Sequence, residues 1–269
     1  MPDCAEFQYQ DHRLAYTEYG EGERPTVLLP GLLLSQRMQA PLARQLARRG
    51  NRVITLDPLG HGDSDRPLQI WRYSMASFAH QTVALLDHLG LERAVIGGTS
   101  LGANITLEVA AQAPERLQGM VVEMPVLDSA IPACGVAFTP LLMALKFGGP
   151  AMAALARVAR AVPRGPLPLL LGVGLDSISQ DPLPSAAVLG GILYGRVAPD
   201  HNERTGFTAP ALVIGHRRDP VHPFSDAGML ADELPHGRLI HASSILELRL
   251  RPQRLTEEIA GFIEECWLG

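Results

Sequence analysis

Residues 94–102 read AVIGGTSLG, an apolar run that leads into the pattern Gly-x-Ser-x-Gly. The run at 94–97 predicts a buried strand, and residues 101–112 predict a helix. A serine between two glycines at such a junction is typical of a nucleophile on a tight turn, because glycine lets strand and helix approach without Cβ clashes. The helix N-terminus and the Leu101 amide can then stabilise an oxyanion. Ser100 is therefore the candidate nucleophile.

Alternating strands and helices extend outward from this junction. Short runs of β-branched residues and leucine, separated by stretches of helical periodicity, predict βαβ units in a mostly parallel sheet with helices on both faces. The predicted strands are 26–29, 52–56, 94–97, 117–123, 211–215 and 238–241, and the predicted helices are 74–89, 101–112 and 254–267.

The regular pattern breaks over residues 126–205, which are rich in Pro, Gly, Ala, Leu and Met and carry few charges. This change in composition predicts a helical lid (126–205) inserted into one α/β core (1–125 and 206–269). An aliphatic lid favours a hydrophobic small-molecule partner over a charged peptide or sugar. For any single lid residue, ordinary packing against the core is the competing interpretation.

Composition limits the possible functions. The 269 residues have a net charge of -5 and 46% hydrophobic residues, which predicts a folded domain without a nucleic-acid partner. Three widely spaced cysteines suggest neither a disulfide framework nor a zinc site, and no metal or organic cofactor is expected. The oligomeric state is left open.

The start of the chain and its uncharged stretches bear on localisation. The start, MPDCAEFQYQDH, lacks the basic and apolar segments of an export signal, so a cytoplasmic protein is expected. The longest uncharged stretch, between Asp128 and Lys146, contains Pro132 and Pro140 and is shorter than the roughly 20 residues that a bilayer span needs. It is interpreted as a buried or pocket-facing segment, with no stable membrane insertion.

Four segments stand out along the chain: PGLLLS (30–35), DPLGHGDSDRP (57–67), GGTSLG (97–102) and GHRRDPVHP (215–223). Together they resemble the landmarks of the α/β-hydrolase superfamily, and the resemblance covers nearly the whole chain. It implies a twisted sheet of about eight strands, a lid after the sixth strand, and a triad in the order serine, acid, histidine. It also implies that the Leu32 amide joins the Leu101 amide in an oxyanion hole, although Pro30 stands where many relatives have histidine.

The candidate acid is Asp219. It lies four residues past Gly215, at the carboxyl end of the penultimate strand, where the superfamily places the carboxylate that orients the histidine. The competing interpretation is a surface aspartate that caps the next helix. Asp128 and Glu123, near the end of the sixth strand, are weaker alternatives.

The general base is harder to identify. Relatives usually carry Gly-His after the last strand, whereas residues 241–252 read HASSILELRLRP. His222 is the first candidate, because it lies three residues beyond Asp219 in a position that tends to face the substrate pocket, and imidazole has a reference pKa of about 6.5. An equal alternative is that His222 only packs beside Pro223. Glu247 occupies the expected slot and is the alternative base, but a carboxylate needs a raised pKa for this task.

Two further histidines, His241 and His216, are weaker candidates, because one falls within a strand and the other precedes the acid. The sequence thus predicts a serine hydrolase that cleaves a carboxylic ester or thioester of a hydrophobic small molecule through an acyl-enzyme on Ser100. Two alternatives stay open. One is a non-catalytic protein of the same fold that binds a lipophilic ligand, and the other is a carbon–carbon bond hydrolase.

Overall fold

The computed structural model describes residues 4–163, 167–217, 219 and 221–268. Eight strands form one sheet in the order β1-β2-β4-β3-β5-β6-β7-β8. The first two strands and β2 with β4 pair antiparallel, and all other neighbours are parallel. The strands are β1 (Cys4–Tyr9), β2 (His12–Tyr19), β3 (Arg24–Leu29), β4 (Asn51–Leu56), β5 (Ala94–Thr99), β6 (Leu117–Glu123), β7 (Ala211–His216) and β8 (Gly237–Ala242).

Helices follow the strands and cover both faces of the sheet. They are α1 (Ala40–Ala47), α2 (Met75–His88), α3 (Leu101–Gln112), α4 (Ile131–Phe147), α5 (Gly149–Ala161), α6 (Leu169–Ile178), α7 (Pro182–Leu193), α8 (His201–Arg204), α9 (Phe224–Glu233), α10 (Glu247–Leu250) and α11 (Gln253–Leu268). The predicted α/β architecture is confirmed.

The two-residue period of the strands builds two hydrophobic cores. On β3, Val27 and Leu29 face the core that contains α2, α3 and α9, whereas Leu28 faces the core that contains α1 and α11. Since both faces are buried, the central strands read as continuous apolar runs. This explains why their positions are visible in the sequence.

Within the described residues, five helices lie between β6 and β7, at the place predicted for the insertion: α4 to α7, which we call the inserted helices, and the short α8. Helices α4 and α7 share a small hydrophobic core that includes Leu142, Leu145 and Leu189. The amide of Asn104 on α3 binds the carbonyl oxygens of Val126 (2.7 Å) and Val197 (2.8 Å), which flank the inserted helices. The division of the chain into an α/β core and a helical lid stays a prediction.

Helix α4 covers a segment that was predicted to be buried or pocket-facing, and one side of the helix lines the cavity described below. Only Leu142 and Leu145 are buried, and the helix continues through Pro140. Within the described residues, no one helix has both the length and the hydropathy of a bilayer span. Helices α4 and α5 reach those limits only when taken together, and a 100° bend separates them.

Candidate active site

Ser100 occupies the turn between β5 and α3 with a left-handed backbone (φ 54°, ψ -107°). Few non-glycine residues adopt such a conformation, because it strains the backbone near Cβ. Its N–H donates to the carbonyl oxygen of Glu123 on β6 (2.9 Å), which holds the turn in place. The hydroxyl is thereby presented at the amino end of α3 instead of continuing the strand.

The flanking glycines allow this turn to pack closely. A Cβ on Gly98 would lie 2.7 Å from the Leu29 carbonyl oxygen, and one on Gly102 would lie 2.5 Å from the same atom. Contacts this short with backbone atoms leave no room for a side chain. The Gly-x-Ser-x-Gly spacing therefore lets α3 approach β3 closely beneath the serine.

The hydroxyl of Ser100 meets an imidazole from the loop after β7. Its Oγ lies 2.9 Å from His222 Nε2, and His222 Nδ1 lies 2.9 Å from Asp219 Oδ2. An ionised carboxylate only accepts hydrogen bonds, so in neutral His222 the Nδ1 atom carries the proton. The Nε2 atom is then the acceptor for the serine hydroxyl, which is the tautomer that a general base requires.

Asp219 is held in its ionised form. Its Oδ1 accepts hydrogen bonds from the backbone amides of Val221 (2.9 Å) and His222 (3.0 Å). Burial raises the pKa of the Asp219 carboxyl, but the hydrogen bonds from His222 and Val221 outweigh burial and lower that pKa below its ordinary value. A charged carboxylate at this position accepts the Nδ1 proton of His222 as a hydrogen bond and so fixes the orientation of the ring.

The two amides predicted for the oxyanion hole lie at the same cavity as Ser100. Leu32 and Leu101 both line this cavity. The turn from Gly31 closes through the Leu34 amide (3.0 Å), and Leu33 takes a left-handed φ of 57°. Among the hydrogen bonds of the described residues, neither the Leu32 nor the Leu101 amide has an acceptor. Their role as oxyanion donors stays a prediction.

The cavity has a volume of about 310 Å³ and an apolar wall. None of its described lining residues is charged, and the Asn104 amide group already bonds Val126 and Val197. The inserted helices contribute most of the wall. The residues from that segment are Ile131, Cys134, Gly135, Phe138, Thr139, Leu142, Met143, Ile192 and Leu193.

The structure corrects the prediction that Glu247 is the alternative base. Its carboxylate accepts hydrogen bonds from the amide and hydroxyl of Ser243, and Arg254 Nε lies 2.8 Å from its Oε1. Burial raises the pKa of Glu247, but Ser243 and Arg254 lower it overall, whereas a base for serine needs a raised pKa. The structure thus engages Glu247 in structural contacts at the start of α10 and does not bring it to Ser100.

The other histidines lie away from the serine hydroxyl. His241 packs against the Phe224 ring, with 4.5 Å between centroids. His216 is buried, with its Nε2 atom 3.8 Å from Glu123 Oε1. His61 is also buried, and its Nδ1 atom lies 3.1 Å from the Leu59 carbonyl oxygen. None of these imidazoles is bonded to Ser100.

A buried ion pair lies beneath the serine turn, and sequence reasoning missed it. Arg249, from the segment after β8, places its Nη2 atom 2.8 Å from Glu123 Oε2 and 2.7 Å from Thr99 Oγ1. Burial raises the pKa of Glu123, but the Arg249 charge and hydrogen bonds including that of Thr99 lower it to about 2. Glu123 therefore braces the turn as a partner of Arg249 and is not the acid of a triad. The sequence signal for this ion pair is the position of Glu123 at the end of a buried strand, because a buried carboxylate needs a cation.

Comparison with known proteins finds sequence similarity to a family model and to several curated proteins. The sequence model of the family described as alpha/beta hydrolase fold matches residues 25–139. A protein of Stutzerimonas stutzeri, provisionally named carbamate hydrolase RutD, is 28% identical over 228 residues, which are 80% of this chain and 83% of that protein. Bifunctional epoxide hydrolase 2 of Sus scrofa is 35% identical over 112 residues, which are 40% of this chain and 19% of that protein.

Several curated relatives are matched over less than half of their own length, with shares of 40%, 26% and 19%. Among solved structures, the enol-lactonase from Burkholderia xenovorans has a TM-score of 0.79 at 22% identity, covering 97% of this chain and 100% of that chain. At this identity the likeness concerns the fold.

Proposed function

Because the chain belongs to the α/β-hydrolase-fold superfamily, we propose that it is a serine hydrolase that cleaves a carboxylic ester or thioester of a hydrophobic small molecule. The single observation that carries this proposal is the row of hydrogen bonds from Asp219 through His222 to Ser100 Oγ, with both distances at 2.9 Å. A protein that only binds a ligand has no need for a base in this tautomer against a strained serine.

The proposed reaction proceeds in two halves. Ser100 Oγ attacks the acyl carbon while His222 Nε2 takes the hydroxyl proton, and the amides of Leu32 and Leu101 bind the resulting oxyanion. The bond to the leaving group breaks, and His222 returns the proton to the departing oxygen or sulfur. Water then attacks the acyl-serine with His222 again as base, releasing the acid and restoring Ser100.

One loop supplies both the base and its orienting acid. Asp219 holds His222 by two hydrogen bonds, because its Oδ2 accepts from the imidazole Nδ1 and its Oδ1 accepts from the His222 backbone amide. No histidine follows the last strand at the expected position. The His222 imidazole reaches the Ser100 hydroxyl from the loop after β7 instead, which supports His222 as the base. The competing interpretation, that His222 only packs beside Pro223, does not account for its bond to Ser100.

The cavity wall supports the substrate class. Lining residues without charge favour a neutral, apolar substrate, and about 310 Å³ suits a small molecule. A lactone is a cyclic ester, and the name of the similar enol-lactonase makes a lactone a sensible member of the substrate panel.

The deciding experiment is labelling with a fluorophosphonate probe, combined with hydrolysis of p-nitrophenyl esters of increasing acyl length. We expect the wild-type chain to be labelled and active, and Ser100→Ala to lose both properties. Absence of labelling, combined with a raised melting temperature in the presence of apolar ligands, would instead establish a binding protein. Exposed Ser244→Ala serves as the matched control and should keep the wild-type behaviour.

A further inference from the structure

The inserted helices carry an apolar stripe that faces solvent. On α4, Val136, Pro140, Met143 and Phe147 recur at helical spacing, so their side chains lie on one side of the helix. Val136 is 79% exposed and Phe147 is 71% exposed. Large apolar side chains of this exposure, set in a row, mark an interaction surface and not scattered surface residues.

The next helix extends the same kind of surface. Leu155 and Val158 of α5 lie one turn apart and are 48% and 66% exposed. We call the exposed stripe of α4 together with these two residues the outer helical face. Helices α4 and α5 meet at a 100° bend, so the outer helical face is short and broad.

The charged residues of the segment that carries the outer helical face are all basic, and one of them, Arg160, pairs with Asp181 outside that segment. Between Asp128 and Asp176 the sequence contains four cations and no acid, in a chain whose net charge is -5. Lys146 stands 5.6 Å from the ring of Phe147, and among the described residues neither Lys146 nor Arg157 forms an ion pair. Exposed aliphatic and aromatic groups mixed with unpaired cations are the combination by which helices bind anionic lipid surfaces.

A second copy of the chain fits this surface less well. A symmetric dimer brings the same patch of both subunits together, so Lys146 and Arg157 would face their own counterparts in a partly dehydrated contact. Like charges at such an interface oppose association. A surface of anionic headgroups removes this cost and accepts the apolar side chains.

The cavity opens beside this face. Met143 belongs to the stripe and also lines the cavity, and Tyr194, another lining residue, is 80% exposed. An apolar molecule could therefore pass from a lipid surface to Ser100 along a continuous apolar path. This part rests on the proposed function, whereas docking itself does not.

We propose that the outer helical face docks the protein onto anionic lipid surfaces, with α4 and α5 lying in the headgroup region. The test uses the full chain as Ser100→Ala, so that binding is measured without turnover. Co-sedimentation is measured with vesicles of phosphatidylglycerol and phosphatidylcholine in equal parts, and with phosphatidylcholine alone. We expect at least about tenfold stronger partitioning onto the anionic vesicles, weakened by high salt.

Two double variants probe the two components of the face. Val136→Asp with Phe147→Asp should reduce partitioning by about tenfold or more, and Lys146→Glu with Arg157→Glu should remove the preference for anionic lipid. Leu268→Asp controls for an added charge at an exposed leucine, because Leu268 is 81% exposed on α11, away from the inserted helices. Arg48→Glu with Arg251→Glu makes the same change in net charge elsewhere. Thermal unfolding checks that each variant is folded.

Equal partitioning onto both vesicle types, unchanged in the Asp variants, would overturn the proposal. So would a dimer in solution that becomes monomeric in the Asp variants and binds no vesicles, since the face would then be a self-association surface. Because these measurements use Ser100→Ala, their outcome is independent of whether the wild-type chain hydrolyses esters.

Discussion

The Nε2 atom of His222 lies 2.9 Å from Ser100 Oγ, although the two residues are 122 positions apart in the chain. The imidazole comes from the loop after β7, where Asp219 also lies, and not from the segment after β8. In that segment, Arg249 instead forms an ion pair with Glu123 beneath the serine turn. The base and its orienting acid are therefore fixed by the same stretch of backbone.

His222→Ala should lower kcat for a p-nitrophenyl ester by about 10³-fold or more, because in the described part of the chain His222 is the side chain bonded to the serine hydroxyl. The change is measured by steady-state kinetics, with labelling by a fluorophosphonate as a second readout. Glu247→Gln and His241→Ala are the matched controls and should keep near wild-type kcat. Loss of turnover in Glu247→Gln with retention in His222→Ala would reverse the assignment of the base.

Asp219→Asn should lower kcat by about 10²- to 10⁴-fold while leaving KM nearly unchanged. The Asn oxygen can still accept the amides of Val221 and His222, but its NH₂ group would face Nδ1 and favour the tautomer with the proton on Nε2. That tautomer cannot take the serine proton. Exposed Asp232→Asn is the control, and a rise in KM without a fall in kcat would argue for a binding role.

Glu123→Gln should destabilise the protein by about 3 kcal/mol at pH 7, because it leaves Arg249 buried without its partner. Since the pKa of Glu123 falls from 4.5 to about 2 on folding, its contribution is present above about pH 4.5 and is lost as the pH falls towards 2. The difference in unfolding free energy between wild type and variant should therefore shrink at low pH.

Urea denaturation at pH 7 and pH 3 measures this difference, and exposed Glu264→Gln controls for the removal of one carboxylate. A wild-type advantage that stays constant over this pH range would show that the Glu123 charge does not stabilise the fold.

Gly102→Ala should destabilise the fold by about 1–3 kcal/mol, because its Cβ would lie 2.5 Å from the Leu29 carbonyl oxygen. Gly261→Ala on α11 is the matched control. Its Cβ meets nothing within 4 Å, so alanine should stabilise the helix by about 0.5–1 kcal/mol. Thermal and urea unfolding of both variants checks the pair, and equal effects at the two sites would contradict the close approach of α3 to β3.

Neither β1 nor β2 was predicted from the sequence, and for β1 the physical cause is its exposure. Strands β1 and β2 form an edge hairpin in which much of β1 is exposed, and Phe7 is its one buried residue in the described range Cys4–Tyr9. Such a strand needs no apolar run, so periodicity could not detect it. The central strands are buried on both faces and were predicted within about two residues of their observed bounds, as at Leu117–Glu123.

The sequence by itself determined the fold and the turn that carries Ser100, because strand burial, helical periodicity and the glycine spacing of Gly98 and Gly102 are properties of short segments. Only the tertiary structure decided which imidazole meets the hydroxyl and which cation meets Glu123. Those contacts join residues more than a hundred positions apart, and they depend on how β7, β8 and their loops pack against the serine turn. Packing of this kind leaves no local pattern in the chain.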